Sequence, residues 1–297
     1  MKILVAGADG QLARALRACA SSSRGHLLLT RGRPELDLAN PSSLANVVGA
    51  LRPDLIVNAA AYTAVDNAER EQALAFAINR DGAGALAAVA AHHDCPIIQI
   101  STDYVFDGAK LGAYCEDDAT RPTGVYGCSK LEGEMAVAAA NARHIILRTS
   151  WVYAAQGGNF VRTILRLARE QPELRVVADQ RGNPTYAPHL AEVILLLADR
   201  IAVETATAWG IYHAAGRGDT TWHEFAVAIL EAAVGLGIAE VPVLPVTTAE
   251  FPRPARRPAN SCLDCGKLER AFGVRLPHWR QGLAACIAEL EAAAKAP

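Results

Sequence analysis

Tyr126-Gly127-Cys128-Ser129-Lys130 sets a phenol and an amine four residues apart. That spacing is one helical turn. If Ser129 to Ala140 is helical, as Leu131, Glu132, Glu134, Met135 and the alanines imply, the two side chains face one cleft. A free phenol titrates near about 10, a lysine cation close by favours the phenolate, and each unit of displacement is worth roughly 1.4 kcal/mol. The phenol can then exchange a proton with a carbonyl or an alcohol. A solvated helix face can carry the same pair, so the elements around it must decide.

The first of those elements is a glycine turn. The apolar run Ile3 to Ala6 leads into Gly7-Ala8-Asp9-Gly10-Gln11-Leu12-Ala13 and then an Ala/Leu/Arg-rich helix. Gly7 permits the tight turn, Gly10 lets the backbone approach a pyrophosphate, and the small Ala13 lets the helix pack against the strand. The helix N-terminus holds the anion. His26 to Thr30 reads as the second strand, and Thr30-Arg31-Gly32-Arg33 follows where an acidic residue often meets the ribose of NAD. Arg31 is placed to pair with a 2'-phosphate, which favours NADPH and leaves NADH possible; the alternative is a solvated arginine. Asp37-Leu38 is positioned for the adenine or its ribose, or is a plain loop.

Asp54 to Asn58 reads as a buried strand, and Ala59-Ala60-Ala61-Tyr62-Thr63 leaves its carboxyl end, where small residues let a cofactor lie flat. Ala73 to His92 reads as one helix with Asn79 in its middle. Pro96 to Ile100 is a further strand, and Ser101-Thr102-Asp103 follows it directly, with Thr102 placed to bond a carbonyl oxygen shared with Tyr126. His144 to Arg148 is one more strand. Strands alternating with helices over residues 1 to 150 predict an α/β fold with a Rossmann-type doubly wound parallel sheet. Residues 151–297 predict a smaller mixed α/β domain that mainly binds substrate. A late strand near 210–213 and a helix near 221–234, capped by Thr220 or Thr221, belong with the first domain.

Composition narrows the class. The chain has 297 residues, half of them apolar and one fifth charged, with a formal charge of -2. That balance fits a soluble globular enzyme. No basic tract points to nucleic acid, and no apolar run is long enough to span a bilayer. The arginines of the proline-rich stretch 241–261, Arg253, Arg256 and Arg257, suit a small anionic ligand such as a diphosphate, or form a solvated loop. The start of the chain lacks the pattern of a signal peptide, and seven scattered cysteines argue for reduced thiols in the cytoplasm. Cys262 and Cys265 form a lone CxxC without a second pair at zinc spacing, so no metal site is expected.

Together the motifs resemble an extended short-chain dehydrogenase/reductase and, more closely, the dTDP-4-dehydrorhamnose reductase family. The resemblance covers nearly the whole length. It rests on GxxGQL at Gly7 to Leu12, VNAAAYTAVDNAE at Val57 to Glu69, STDYVFDG at Ser101 to Gly108, VYGCSKLEGE at Val125 to Glu134 and RTSWVYA at Arg148 to Ala154, with GNPTY from Gly182, TTWHEFA from Thr220 and RPANS from Arg257. It implies that NADPH, or NADH, reduces the C4 ketone of dTDP-4-dehydro-L-rhamnose. Tyr126 is then the proton donor, Lys130 lowers its pKa and binds the nicotinamide ribose, and Thr102 positions the carbonyl. Gly7, Gly10, Gln11, Leu12, Arg31, Asp37, Leu38, Ala61, Tyr62 and Thr63 are the implied cofactor contacts. Asp103 and Trp151 are implied for the sugar, Arg257 with Asn260 for the diphosphate region, and Asn79 for a proton relay.

Two positions depart from the family pattern. Some members dimerise through magnesium held by glutamates, and the matching positions here are Ala15, His189 and Glu289. The expectation is therefore a monomer, or a homodimer not built on that metal. Cys128 stands within the pentapeptide where a small or charged residue is usual, and is expected to pack. Two alternatives stay open: another nucleotide-sugar 4-ketoreductase, such as one giving the 6-deoxy-talose epimer, and a non-catalytic subunit similar to the regulatory subunit of methionine adenosyltransferase.

Overall fold

The apolar runs become strands. In the computed structural model, which describes residues 1–20, 25–203, 207–238 and 241–295, these are β1 (Lys2–Ala6), β2 (Leu27–Arg31), β3 (Leu55–Asn58), β4 (Ile97–Thr102) and β5 (His144–Thr149). They form one sheet in the order Gly210–His213, β5, β4, β3, β1, β2, and every pairing is parallel. Every residue of β3 is buried, as is most of β1, β4 and β5. Such a sheet needs helices on both faces, which is why its strands read as continuous apolar runs. The chain leaves β1 to one side for β2 and crosses to the other for β3. A crevice opens where that direction switches, at the carboxyl ends of the strands.

The sixth strand, Gly210–His213, lies beside β5 although some sixty residues separate them. A second apolar cluster is built from the helix Phe160–Glu170, which lies between them, and from Trp222–Ala232 and Trp279–Lys295, which follow, and is centred on Tyr153, Leu165, Phe225, Ile229 and Leu283. The Ala187–Val203 helix instead joins the cluster on one face of the sheet, packing on Gln11–Ala20. Thr221 caps the Trp222–Ala232 helix through a full capping box with Glu224. No helix among the described residues is long and apolar enough to cross a membrane.

Three local features differ from the sequence reading. A helix at Pro41–Leu51, unread in the sequence, buries Leu44 and Val48 and starts with proline in its first turn. The helix expected over Ala73 to His92 is instead Gln72–Phe76, a π-helical stretch Ala77–Gly82 and Ala83–His92. Asn79 accounts for the wider turn. Its side chain accepts from the Tyr62 N–H (2.8 Å) and donates to the Tyr62 carbonyl (3.0 Å), so the helix must aim that amide at the β3 exit loop. The helix bearing Tyr126 begins at Val125 rather than Ser129, because the Glu69 carboxylate accepts the Val125 N–H at 2.9 Å. A negative charge at a helix N-terminus is favourable.

One buried ion pair fixes that helix to the sheet. Arg148 of β5 donates to Glu134 through Nε (3.0 Å) and Nη2 (2.7 Å), and the Ser101 hydroxyl of β4 donates to the same carboxylate. Both charged side chains are 3% exposed. Glu134→Ala strands a buried guanidinium and is expected to lower stability by about 3–5 kcal/mol. Urea unfolding of the two proteins measures this, and a loss below about 1 kcal/mol would show that water reaches Arg148.

Candidate active site

A cleft of about 930 Å³ runs along the carboxyl ends of the strands, from the glycine turn to Tyr126 and Trp151. Gly7 sits at φ +103°, and a Cβ there would stand 3.1 Å from the Ala60 nitrogen. Only glycine fits both the angle and that approach. Gly10 follows, and the Gln11–Ala20 helix starts immediately after it. The turn is thus open above and backed by a helix N-terminus, a cradle that fits a pyrophosphate.

Gln11 and Leu12 also line the cleft, and Gln11 does more than face a ligand. Its Oε1 accepts from Asn159 Nδ2 at 2.9 Å, tying the turn to the loop before the Phe160–Glu170 helix. Asp37, Leu38, Ala61, Tyr62 and Thr63 line the same trough. Asn79 lines none of it. Its second amide hydrogen goes to Ser129 Oγ at 3.0 Å, so the side chain braces two walls of the cleft where a relay position had been expected.

Arg31 requires a correction. Its Nε reaches Glu35 at 3.0 Å and its Nη1 the Thr30 carbonyl at 2.9 Å, and it does not border the cleft. Glu35, one turn further along, holds the guanidinium. Gly32 and the exposed Arg33 border the cleft in its place. Two arginines straddling one glycine are indistinguishable in sequence; the nearby carboxylate separates them.

Thr102, Asp103, Tyr126 and Lys130 meet at the other end. Thr102 closes β4, donates to Asp103 Oδ1 at 2.9 Å and accepts from the Tyr104 N–H at 3.2 Å. Desolvation pushes the Tyr126 phenol up to about 12, and the nearby Thr102 hydroxyl only partly offsets it. Lys130 Nζ donates to the Ile100 carbonyl at 2.6 Å, and burial pulls the amine down to about 8 against the pull of Glu134. The phenol is thus raised where a lowering by the lysine had been expected. Removal from water dominates both groups, and the phenol keeps its proton at neutral pH.

Asp103 is buried, and its Oδ2 has no hydrogen-bond partner. Burial raises this carboxyl to about 6, with Ser261 and Thr102 pulling the other way. Trp151 borders the cleft from a left-handed backbone angle, φ +47°. Its ring lies against Trp222, centroids 3.4 Å apart and planes 7° apart. Sequence reasoning had Trp222 only as a helix-opening residue.

Arg257 and Asn260 stand back from the cleft, contrary to expectation. Arg257 Nη2 donates to Asp66 at 3.0 Å and the guanidinium lies over the Tyr104 ring. The Asn260 amide donates to the carbonyls of Lys110 and Gly112 and accepts from the Cys262 N–H. With both its donors engaged by backbone, Asn260 organises a loop. At the former metal positions Ala15 is buried, and Glu289 accepts the Tyr186 hydroxyl at 2.8 Å. His189 packs edge-on against Tyr186. No group of three or more His, Cys, Asp or Glu side chains suited to a metal occurs among the described residues. The half-buried Cys128 thiol is raised by desolvation, which disfavours the reactive thiolate.

Comparison with known proteins agrees with this geometry. Residues 1–292 match the family described as the RmlD substrate binding domain. A dTDP-4-dehydrorhamnose reductase of Sinorhizobium fredii is 50% identical over 282 residues, 95% of each chain. Among solved structures, a dTDP-4-dehydrorhamnose reductase of Clostridium acetobutylicum superposes with a TM-score of 0.91 at 38% identity, covering 98% of this chain and 100% of its own. That of Bacillus anthracis, in complex with NADP, gives 0.89 at 36% identity over 97% and 99%. With its glycine turn, its strand-tip threonine and its Tyr126/Lys130 helix in one cleft, and with identity of this extent along the whole length, the chain belongs to the dTDP-4-dehydrorhamnose reductase family.

Proposed function

We propose that the protein reduces the C4 ketone of dTDP-4-dehydro-L-rhamnose to dTDP-L-rhamnose, with NADPH preferred and NADH accepted. The observation that carries this reading is that Thr102, Tyr126 and Lys130 border the same cleft that begins at the Gly7 turn. Relatives bearing the reductase name, one of them in complex with NADP, support it. Residues 1–150, completed by the strand at 210–213, hold the dinucleotide, and residues 151–297 mainly hold the sugar nucleotide. The enzyme works in the cytoplasm, as a monomer or as a homodimer without a magnesium bridge.

The dinucleotide supplies the hydride; the chain supplies position and a proton. Gly7, Gly10 and the helix N-terminus at Gln11 hold the pyrophosphate. Ala61, Tyr62 and Thr63 form a flat wall, and Asp37 and Leu38 border the adenosine end. Lys130, fixed by the Ile100 carbonyl, presents its ammonium to the ribose hydroxyls. Thr102 and Tyr126 direct hydroxyls at the ketone oxygen. As that oxygen gains negative charge, Tyr126 gives up its proton. Desolvation keeps the phenol protonated until then and makes its anion costly in the absence of substrate.

Purified protein, NADPH and enzymatically made dTDP-4-dehydro-L-rhamnose, with the product sugar identified by NMR, test the reading. No cofactor oxidation would sink it, and the product spectrum fixes the hand at C4. Tyr126→Phe is expected to cut kcat by about 10²–10⁴ while leaving NADPH binding unchanged; full activity would overturn the acid assignment. For the cofactor, Arg33→Ala should weaken NADPH about tenfold relative to NADH, whereas Arg31→Ala should affect both alike; the reverse pattern would return the phosphate contact to Arg31. The buried Lys130 loses its charge as pH rises through about 8, so kcat/KM should be level below that value and fall above it. A profile level well into the alkaline range would remove the ammonium from the mechanism.

A further inference from the structure

One face of Trp151 is covered. The Trp222 ring lies on it, and Phe160 backs Trp222 with centroids 4.5 Å apart. Two short ladders bring these rings together. Val152–Tyr153 pairs with Thr185–Tyr186, and Arg181–Gly182 pairs with Thr220–Thr221, the residues directly before Trp222. The Ser150 hydroxyl donates to the Asn183 carbonyl at 2.8 Å, drawing the start of the Trp151 segment towards Gly182. Gly182 is the spacer, since a Cβ there would sit 2.6 Å from the Trp151 Nε1 and closer still to Cε2. A positive φ, a missing Cβ and a stacked partner thus converge on one side chain that borders the cleft.

We infer that Trp222 and Gly182 are positioning residues that set the plane of the Trp151 ring, and with it the orientation in which the sugar is held. With Trp222 on one face and Gly182 packed close over Nε1 and Cε2, the ring offers a ligand only the part of it that borders the cleft. That part is an apolar surface suited to the C–H groups of a deoxysugar and not to its hydroxyls. The identity of the ligand rests on the reductase reading above; the stack itself does not.

Full-length Trp222→Leu, Trp222→Phe and Gly182→Ala proteins test this. Far-ultraviolet circular dichroism reads the stack directly, through the exciton-coupled band of two stacked indoles. Calorimetry with dTDP-L-rhamnose and with NADPH reads the consequence, alongside kcat and KM. Trp222→Leu should lose the band, weaken dTDP-L-rhamnose about tenfold, the effect of roughly one aromatic contact, and raise KM more than it lowers kcat. NADPH affinity should stay within about twofold. Trp222→Phe should recover most sugar affinity without the band, and Gly182→Ala should reproduce the sugar defect by displacing the ring. A lost band with unchanged sugar affinity and KM, or an equal loss of NADPH affinity, would overturn the inference. If Trp222→Leu does not fold, Gly182→Ala decides: an altered band with unchanged sugar affinity and KM overturns the inference, and a sugar defect with NADPH affinity kept supports it. Absence of turnover in the unsubstituted enzyme sinks the reductase reading instead, and calorimetry on the variants still decides the role of Trp222.

Discussion

The buried pairing of Glu134 with Arg148 is the constraint on which the catalytic geometry depends. Glu134 lies one turn beyond Lys130 on the helix that opens with Tyr126, Arg148 belongs to β5, and Ser101, the third member, precedes Thr102 on β4. One cluster therefore sets the register of the helix against two strand tips. Lys130 consequently meets the Ile100 carbonyl and Tyr126 meets Thr102. Burying two charges costs desolvation comparable to what their attraction returns, so a net stabilising role is not its main effect. Its effect is on register, because a helix shifted by one residue would leave both charges unpaired. Burial, reinforced by the same guanidinium, holds His213 on the sixth strand neutral, lowered to about 3.

Desolvation, more than any neighbouring charge, sets the protonation states in the cleft. It raises Tyr126 and Asp103 and lowers Lys130, so each group is driven towards its uncharged form. A lysine four residues from a tyrosine invites a Coulomb argument, but Coulomb effects compete with solvation in each setting. Here the amine is turned to a backbone carbonyl. The Tyr126 phenol consequently retains its proton, as the proposed role of proton donor requires.

Much of the fold could be read from residues alone, for definite reasons. Continuous apolar runs mark strands buried on both faces, as in β3, and a glycine turn after β1 marks the crevice. Thr102, Tyr126 and Lys130 follow from strand ends and helical spacing. What could not be read depended on partners distant in sequence or on competition between neighbours. Asn79 widens its helix because Tyr62 waits seventeen residues earlier, Arg31 is withdrawn by Glu35, and Asn260 is engaged by Lys110 and Gly112. The Pro41–Leu51 helix was missed although Pro41, Leu44 and Val48 carried its signal. Trp222 was hidden differently. Its pattern is that of any helix start, and only the ladder through Gly182 brings it to Trp151.

The strand at Gly210–His213 has a bearing on how far the two halves are modular. It supplies the neighbour of β5, yet in the chain it follows the first part of the second cluster, from Tyr153 to Tyr186. A chain ending near residue 150 would carry β5 as a bare edge, with a row of unpaired amides and carbonyls open to other molecules. The parallel sheet thus takes its last strand from well beyond residue 150. Any replacement of the chain beyond residue 150 would have to bring along an equivalent strand in the same parallel register, which links exchange of that segment to preservation of the sheet.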